Sequence, residues 1–213
     1  MMDFLDYAFM RNALLAILVS SPIFALLGTM VVNKKMAFFS DAIGHSAVCG
    51  IAVGIVFGFT SRSVSMVIFA ILFSMLLNFV KDRTTYGADT IISVFASVAM
   101  SLGLVLLSKG GNFNKYSSYL VGDILSITTT EIISLAVCLV LVIVFWALSY
   151  NALSSDNLNR DLARSKGING KLYDYIFSAF IAVVIMFSIR WIGILLINSL
   201  IILPAASRRN ISR

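Results

Sequence analysis

The chain reads as an all-α protein: a polytopic transmembrane helical bundle of about seven membrane helices, forming one integral membrane domain over residues 1–213. Three observations predict this. Of 213 residues, 60% are apolar and only 12% charged, with a mean hydropathy of +0.98, whereas a soluble domain carries about 25% charge. A soluble chain this short cannot hide so much apolar surface in one core, so lipid must solvate much of it. The apolar runs are also long, contain only two prolines and do not alternate with the two-residue period of a strand. That pattern argues for helices rather than a membrane β-barrel.

A hydrocarbon core about 30 Å thick takes about 20 helical residues to cross. Seven runs are candidates: 12–32, 36–58, 63–80, 88–107, 131–150, 173–190 and 191–206. The last is short for a full crossing and is expected to end at Pro204. The N-terminus lacks a basic region and a small-residue cleavage site, so no removable signal peptide is expected. Cys49 and Cys138 both lie inside apolar runs, where a structural disulfide is not expected.

The net charge of +6 does not point to nucleic acid, because the basic residues form short clusters between apolar runs rather than one patch. Such clusters set membrane topology. With the N-terminus outside, the inner side holds Lys34, Lys35, Lys81, Arg83, Arg160, Arg164, Lys166, Lys171, Arg208, Arg209 and Arg213. The outer side then holds Arg11, Arg62, Lys109, Lys115 and Arg190. Eleven against five favours this orientation.

Two connections exceed a simple turn. From Lys109 to Thr130, on the outer side, Tyr116, Tyr119, Leu120, Val121, Ile124 and Leu125 predict a short amphipathic helix at or in the membrane surface. From Asn151 to Gly170, on the inner side, the centre predicts a short helix capped by Asp156 or Asn157 and ended by Gly167.

The sharpest chemical signal opens the second span, at Asp41-Ala42-Ile43-Gly44-His45. An ionisable group inside a membrane helix costs at least about 2.5 kcal/mol on insertion scales and usually has a functional reason. Asp41 and His45, the only histidine, are four apart and share one helix face. A carboxylate oxygen with an imidazole nitrogen suits zinc, manganese or ferrous iron. Two donors are too few to hold a metal alone, and a second copy would bring the number to four. The plain alternative is that the two side chains only bond each other. Cys49, two turns further on, is either a small buried filler or a third donor. A neighbouring face carries Ala42, Ser46, Gly50, Gly54 and Gly58 at four-residue spacing. Such small residues let helix backbones approach closely in a membrane.

The stretch Lys35-Met36-Ala37-Phe38-Phe39-Ser40-Asp41-Ala42-Ile43-Gly44-His45-Ser46-Ala47 resembles the second-helix motif of the zinc/manganese/iron-type metal ABC transporter permease family. Three further stretches agree in order. These are Ser101-Leu102-Gly103-Leu104 followed by Tyr119-Leu120-Val121-Gly122-Asp123-Ile124-Leu125, then Asp161-Leu162-Ala163-Arg164-Ser165-Lys166-Gly167-Ile168, then Ile192 through Ala206. The match covers nearly the whole chain.

The resemblance implies the membrane permease subunit of an ATP-driven importer in the bacterial cytoplasmic membrane, carrying a divalent transition metal (zinc, manganese or iron). It implies a homodimer or paired permease, with a cytoplasmic ABC ATPase dimer bound through the loop from Asn157 to Gly167. It also implies an extracytoplasmic metal-binding protein, and makes Asp41 and His45 metal contacts on the path. The metal would be cargo, with no permanently bound cofactor. ATP hydrolysis would belong to the separate subunit, since no Gly-x-x-x-x-Gly-Lys-Ser/Thr sequence occurs here.

Two departures stand out. Cys49 falls where many members have proline, and the chain stops at Arg213 where members continue through further C-terminal helices, so it is expected to be incomplete there. An ion-coupled metal carrier and a membrane-embedded metalloenzyme are the competing classes. The second is weakened by the single histidine, which leaves no His-Glu-x-x-His arrangement.

Overall fold

The computed structural model describes residues 6–34, 36–59, 61–109, 118–158 and 165–211. Seven long helices account for most of them: α1 Ala8–Asn33, α2 Ala37–Val56, α3 Arg62–Arg83 and α4 Ala88–Lys109 come first. A one-turn helix, α5 Ser118–Val121, and a 3₁₀ turn, Ile124–Ser126, precede α6 Thr129–Leu158, α7 Gly170–Ile192 and α8 Ile194–Ile211. The described residues contain no strand. Six helices, α1 to α4 with α6 and α7, are long and apolar enough to cross a membrane.

The helices start and stop where side chains or glycines satisfy their ends. Thr128 and Glu131 form a reciprocal box at the start of α6. The Thr128 N–H donates to Glu131 Oε2 at 2.8 Å, and the Glu131 N–H donates back to Thr128 Oγ1 at 3.4 Å. Asn169 caps α7, its side-chain oxygen accepting from the Leu172 N–H at 3.4 Å. Gly193, at φ +85° and ψ 155°, ends α7 and turns the chain into α8. Only glycine adopts that conformation readily.

The hub of the bundle is α2, packed against α4, α3, α8 and α7. Its central stretch is 72% buried inside the chain, against 61% for α7 and 28–44% for the other spans. The small-residue face predicted for α2 packs closely on α3 at Gly50 and Gly54, whereas Gly58 falls past the end of α2 with nothing within 4 Å of an added Cβ. A side chain begun at Gly50 would lie 3.1 Å from Met66 Cα, and one begun at Gly54 would lie 2.7 Å from Ser65 Cβ. The Ser65 hydroxyl donates to the Gly50 carbonyl at 2.7 Å. On another side α4 closes in through Gly103, where a Cβ would lie 2.7 Å from the Cys49 nitrogen. Backbones this close gain dispersion contacts that lipid cannot match.

Polar links tie the helix ends together. At one end Lys34, closing α1, pairs with Asp174 of α7, and their side chains are only 5% and 11% exposed. Breaking a buried pair by removing one partner costs about 3–5 kcal/mol. Nearby, Asn78 of α3 donates to the Ser178 hydroxyl oxygen at 2.7 Å, and Lys171 lies 3.4 Å from Asp82. At the other end, Arg190 of α7 bonds Glu131 of α6 at 2.7 Å, and Asn12 donates to the Ile127 carbonyl at 3.3 Å. Lys34, Asp82 and Lys171 therefore share one end and Asn12, Glu131 and Arg190 the other, which is the alternation that the span count required.

Two expectations need correction, and a third falls partly outside the described residues. The last helix does not stop at Pro204 but runs on to Ile211, although only Ile194–Leu203 is its apolar part. Proline removes one helical hydrogen bond, and Pro22 is likewise carried inside α1. The inner connection does not begin at Asn151, because α6 continues to Leu158. Nothing in 151–158 breaks a helix, and Ala152 and Leu153 are buried in the bundle. Asp156 and Asn157 thus lie within α6 and do not start a new helix. Residues 159–164, the middle of that expected helix, lie outside the described residues, while Gly167 does take a helix-ending φ of +74°. Of the amphipathic helix expected between 109 and 130, the described residues show α5 and the 3₁₀ turn, and 110–117 lie outside them.

Candidate functional site

The site begins at the tight corner between α1 and α2. The Lys34 N–H bonds the Met30 carbonyl and the Met36 N–H bonds the Val31 carbonyl, each at 2.9 Å. This fixes where α2 starts, and one turn later Asp41 and His45 come to the same face. His45 Nε2 lies 3.5 Å from Asp41 Oδ2, too long for a good hydrogen bond. Within the most buried helix these two side chains stay partly open, 38% exposed for Asp41 and 28% for His45. Their neighbours Ala42 and Ile43 are fully buried.

His45 Nδ1 is buried and has no hydrogen-bond partner among the described residues. A buried ring nitrogen without a partner carries a desolvation cost. The plain reading, in which the two side chains serve only to satisfy each other, therefore leaves one nitrogen unexplained. Carboxylate and imidazole together offer one hard oxygen and one borderline nitrogen donor.

The surroundings hold the pair in place. The Ser40 hydroxyl donates to Asn198 Oδ1 of α8 at 2.5 Å. Gly44 faces Ile194 of α8, with room for contact at 3.4 Å. Cys49 does not join them: it is buried where α4 crosses, and no three His, Cys, Asp or Glu residues gather into a metal-holding group among the described residues. One chain thus brings two donors to this face.

Sequence reasoning missed Asp174 and Asn198. Asp174 was findable, because it lies just inside the sixth apolar run and an intramembrane carboxylate calls for a partner. Asn198 carries no such signal, since an amide at that position is ordinary and its contact with Ser40 spans 158 residues.

Among the described residues, six helices are long and apolar enough to cross a membrane, and an ionisable pair stands partly open on the most buried of them. The comparisons go further: the chain belongs to the ABC 3 transport family, which matches residues 6–213. It is 33% identical over 202 residues to the high-affinity zinc uptake system membrane protein ZnuB of Haemophilus influenzae, covering 94% of this chain and 77% of that one. It is 25% identical over 212 residues to the manganese import system permease protein ScaB of Streptococcus parasanguinis, covering 96% and 74%. Among solved structures, PsaBC from Streptococcus pneumoniae in complex with Fab matches with a TM-score of 0.82. That match covers 97% of this chain and 75% of the other at 22% identity, and is a likeness of fold. The chain is therefore a multi-pass transport subunit of a bacterial cytoplasmic membrane system and not itself an enzyme. It spans about three quarters of these relatives' length.

Proposed function

We propose that this subunit forms the pathway of an ATP-driven importer for a divalent transition metal, zinc or manganese, and that Asp41 and His45 contact the ion as it passes. The observation that carries this reading is the pair itself: two metal-competent donors on one face of α2, partly open, with His45 Nδ1 unpartnered among the described residues. The relatives named for zinc uptake and manganese import support the class of cargo. Asp and His serve both metals, so the donors do not rank one above the other.

Two chains, facing each other across α2, would supply four donors, a full set for a tetrahedral ion. Transport needs release as well as capture, and a site divided between two chains can open by a small separation of them. The carboxylate offsets the cation's charge where water is scarce, and the imidazole supplies directional bonding. ATP hydrolysis falls to a separate subunit, reached through the connection after α6. That contact is placed by the resemblance at Asn157–Gly167, of which 159–164 lie outside the described residues. An external binding protein would deliver the ion.

The test is radioactive zinc and manganese uptake into vesicles holding the assembled transporter. His45→Ala is expected to abolish uptake while ATPase association persists, and Asp41→Asn to weaken it. Normal uptake by the double variant would return both residues to a structural role. Reversing the charges of Arg160 and Arg164 is expected to weaken ATPase association, and intact association would remove the contact from this connection.

A further inference from the structure

Beyond the ion's own contacts, the bundle contains a buried ion pair that the proposed pathway does not use. Lys34 and Asp174 lie 140 residues apart in sequence and join the α1–α2 corner to the first turns of α7. Both side chains are almost wholly withdrawn from solvent. Burying two charges is a poor way to gain stability, because the desolvation of each offsets most of their attraction. The pair's position gives it another use.

Each partner sits at a mechanically distinct place. Asp174 is one turn inside α7, just after the Asn169 cap that receives the chain from the connection following α6. Lys34 closes α1 and is followed within three residues by the start of α2. The start of α2 is tied back to α1 by the Lys34 and Met36 backbone bonds. A displacement of Lys34 therefore moves the first turns of α2, where Asp41 and His45 stand. Two further links, Lys171 with Asp82 and Asn78 with Ser178, fasten the same part of α7 to α3. Since α3 packs on the glycine face of α2, the start of α7 grips α2 at its corner and along its flank.

We infer that Lys34 and Asp174 are positioning residues: their ion pair transmits movement of the connection entering α7 to the metal-contacting turn of α2. The inference rests on the reading of Asp41 and His45 given above. A charged pair suits this task better than apolar contact. Apolar surfaces slide against each other at little cost, whereas an ion pair out of water resists separation and keeps its register. The ammonium on its flexible stem also tolerates a change of angle without losing its partner.

The experiment uses the complete transporter, permease with ATPase and binding protein, reconstituted in vesicles. Zinc or manganese uptake and ATP hydrolysis are measured together, and the readout is metal moved per ATP hydrolysed. Lys34→Ala and Asp174→Ala are each expected to keep hydrolysing ATP while that ratio falls about tenfold, within the usual range of site-to-site coupling. The exchange Lys34→Asp with Asp174→Lys is expected to recover it. If an alanine variant does not insert, Asp174→Asn, which keeps the shape and removes the charge, gives the same readout.

A wild-type ratio in the single variants, even with less protein assembled, would show a merely structural pair and overturn the inference. So would an exchanged pair that assembles yet stays uncoupled. His45→Ala in the same vesicles separates the two claims. Uptake that survives there is a failure of the metal-site reading. A normal ratio in Lys34→Ala alongside lost uptake in His45→Ala is a failure of the link alone.

Discussion

At the scale of single residues, the proposed ion contact centres on His45. Its Nε2 looks toward Asp41 and its Nδ1 finds no partner among the described residues. An imidazole binds a metal only when neutral, because a proton and a cation compete for the same lone pair. Uptake is therefore expected to fall as the medium is acidified, and to fall less when the metal concentration is raised. Initial rates over a pH series at two metal concentrations check this, and equal acid sensitivity at both would point to a proton acting elsewhere. That Asp41 and His45 share one face of α2 was legible from their four-residue spacing, and ionisable groups in an apolar run drew attention to them. What Cys49 does was not legible. Spacing put it within two turns of His45, but which side of α2 it took depended on Gly103 of a helix two elements later.

At the scale of elements, the spans were written in the apolar runs, and their ends were not. Caps and glycines decided them: the Thr128–Glu131 box starts α6 and Gly193 stops α7. The extension of α6 to Leu158 escaped because polar residues there looked like loop, while Leu153 was held in the core by neighbours that sequence does not show. Gly193 offers a direct test. A Cβ there would lie 2.6 Å from the Gly122 nitrogen as well as forcing a φ of +85°. Gly193→Ala is expected to cost at least about 2 kcal/mol. Gly58→Ala is the control, with a φ of +71° and nothing within 4 Å of the added carbon, so that it costs only about 1–2 kcal/mol. Thermal unfolding in detergent should place Gly193→Ala clearly below Gly58→Ala. Equal midpoints would mean that the contact between α5 and the α7–α8 break can relax.

At the scale of the whole molecule, the ion pairs at the two ends agree with the up-and-down order inferred from the apolar runs. They leave which end faces the cytoplasm to the basic residues, eleven against five. Single cysteines placed near Lys81 and near Arg190, in a background with Cys49 and Cys138 replaced, are expected to label from opposite sides of intact cells. The position near Arg190 should react with an impermeant reagent added outside. Labelling of the Lys81 position from outside would invert the topology. Class and the first six of the seven expected spans were readable because lipid imposes a length and a composition on every span, while the last has only ten apolar helical residues, Ile194–Leu203. The pairing of helices was less so: the small-residue face of α2 announced close packing, but nothing local identified α3 as its partner.

The same long-range pairing sets a timetable for the protein's birth. Lys34 leaves the ribosome 140 residues ahead of Asp174. At about 5–20 residues per second that is roughly 7–28 s of synthesis. During that interval α2 to α4 and then α6 are made and become available to the membrane, while the link from the α1–α2 corner to α7 does not yet exist. The lysine's long stem lets its ammonium stay in the water at the bilayer edge while it waits. The arrival of α7 is then the moment at which a set of inserted helices becomes one bundle, and a nascent chain stalled before that point carries Lys34 where water can still reach it.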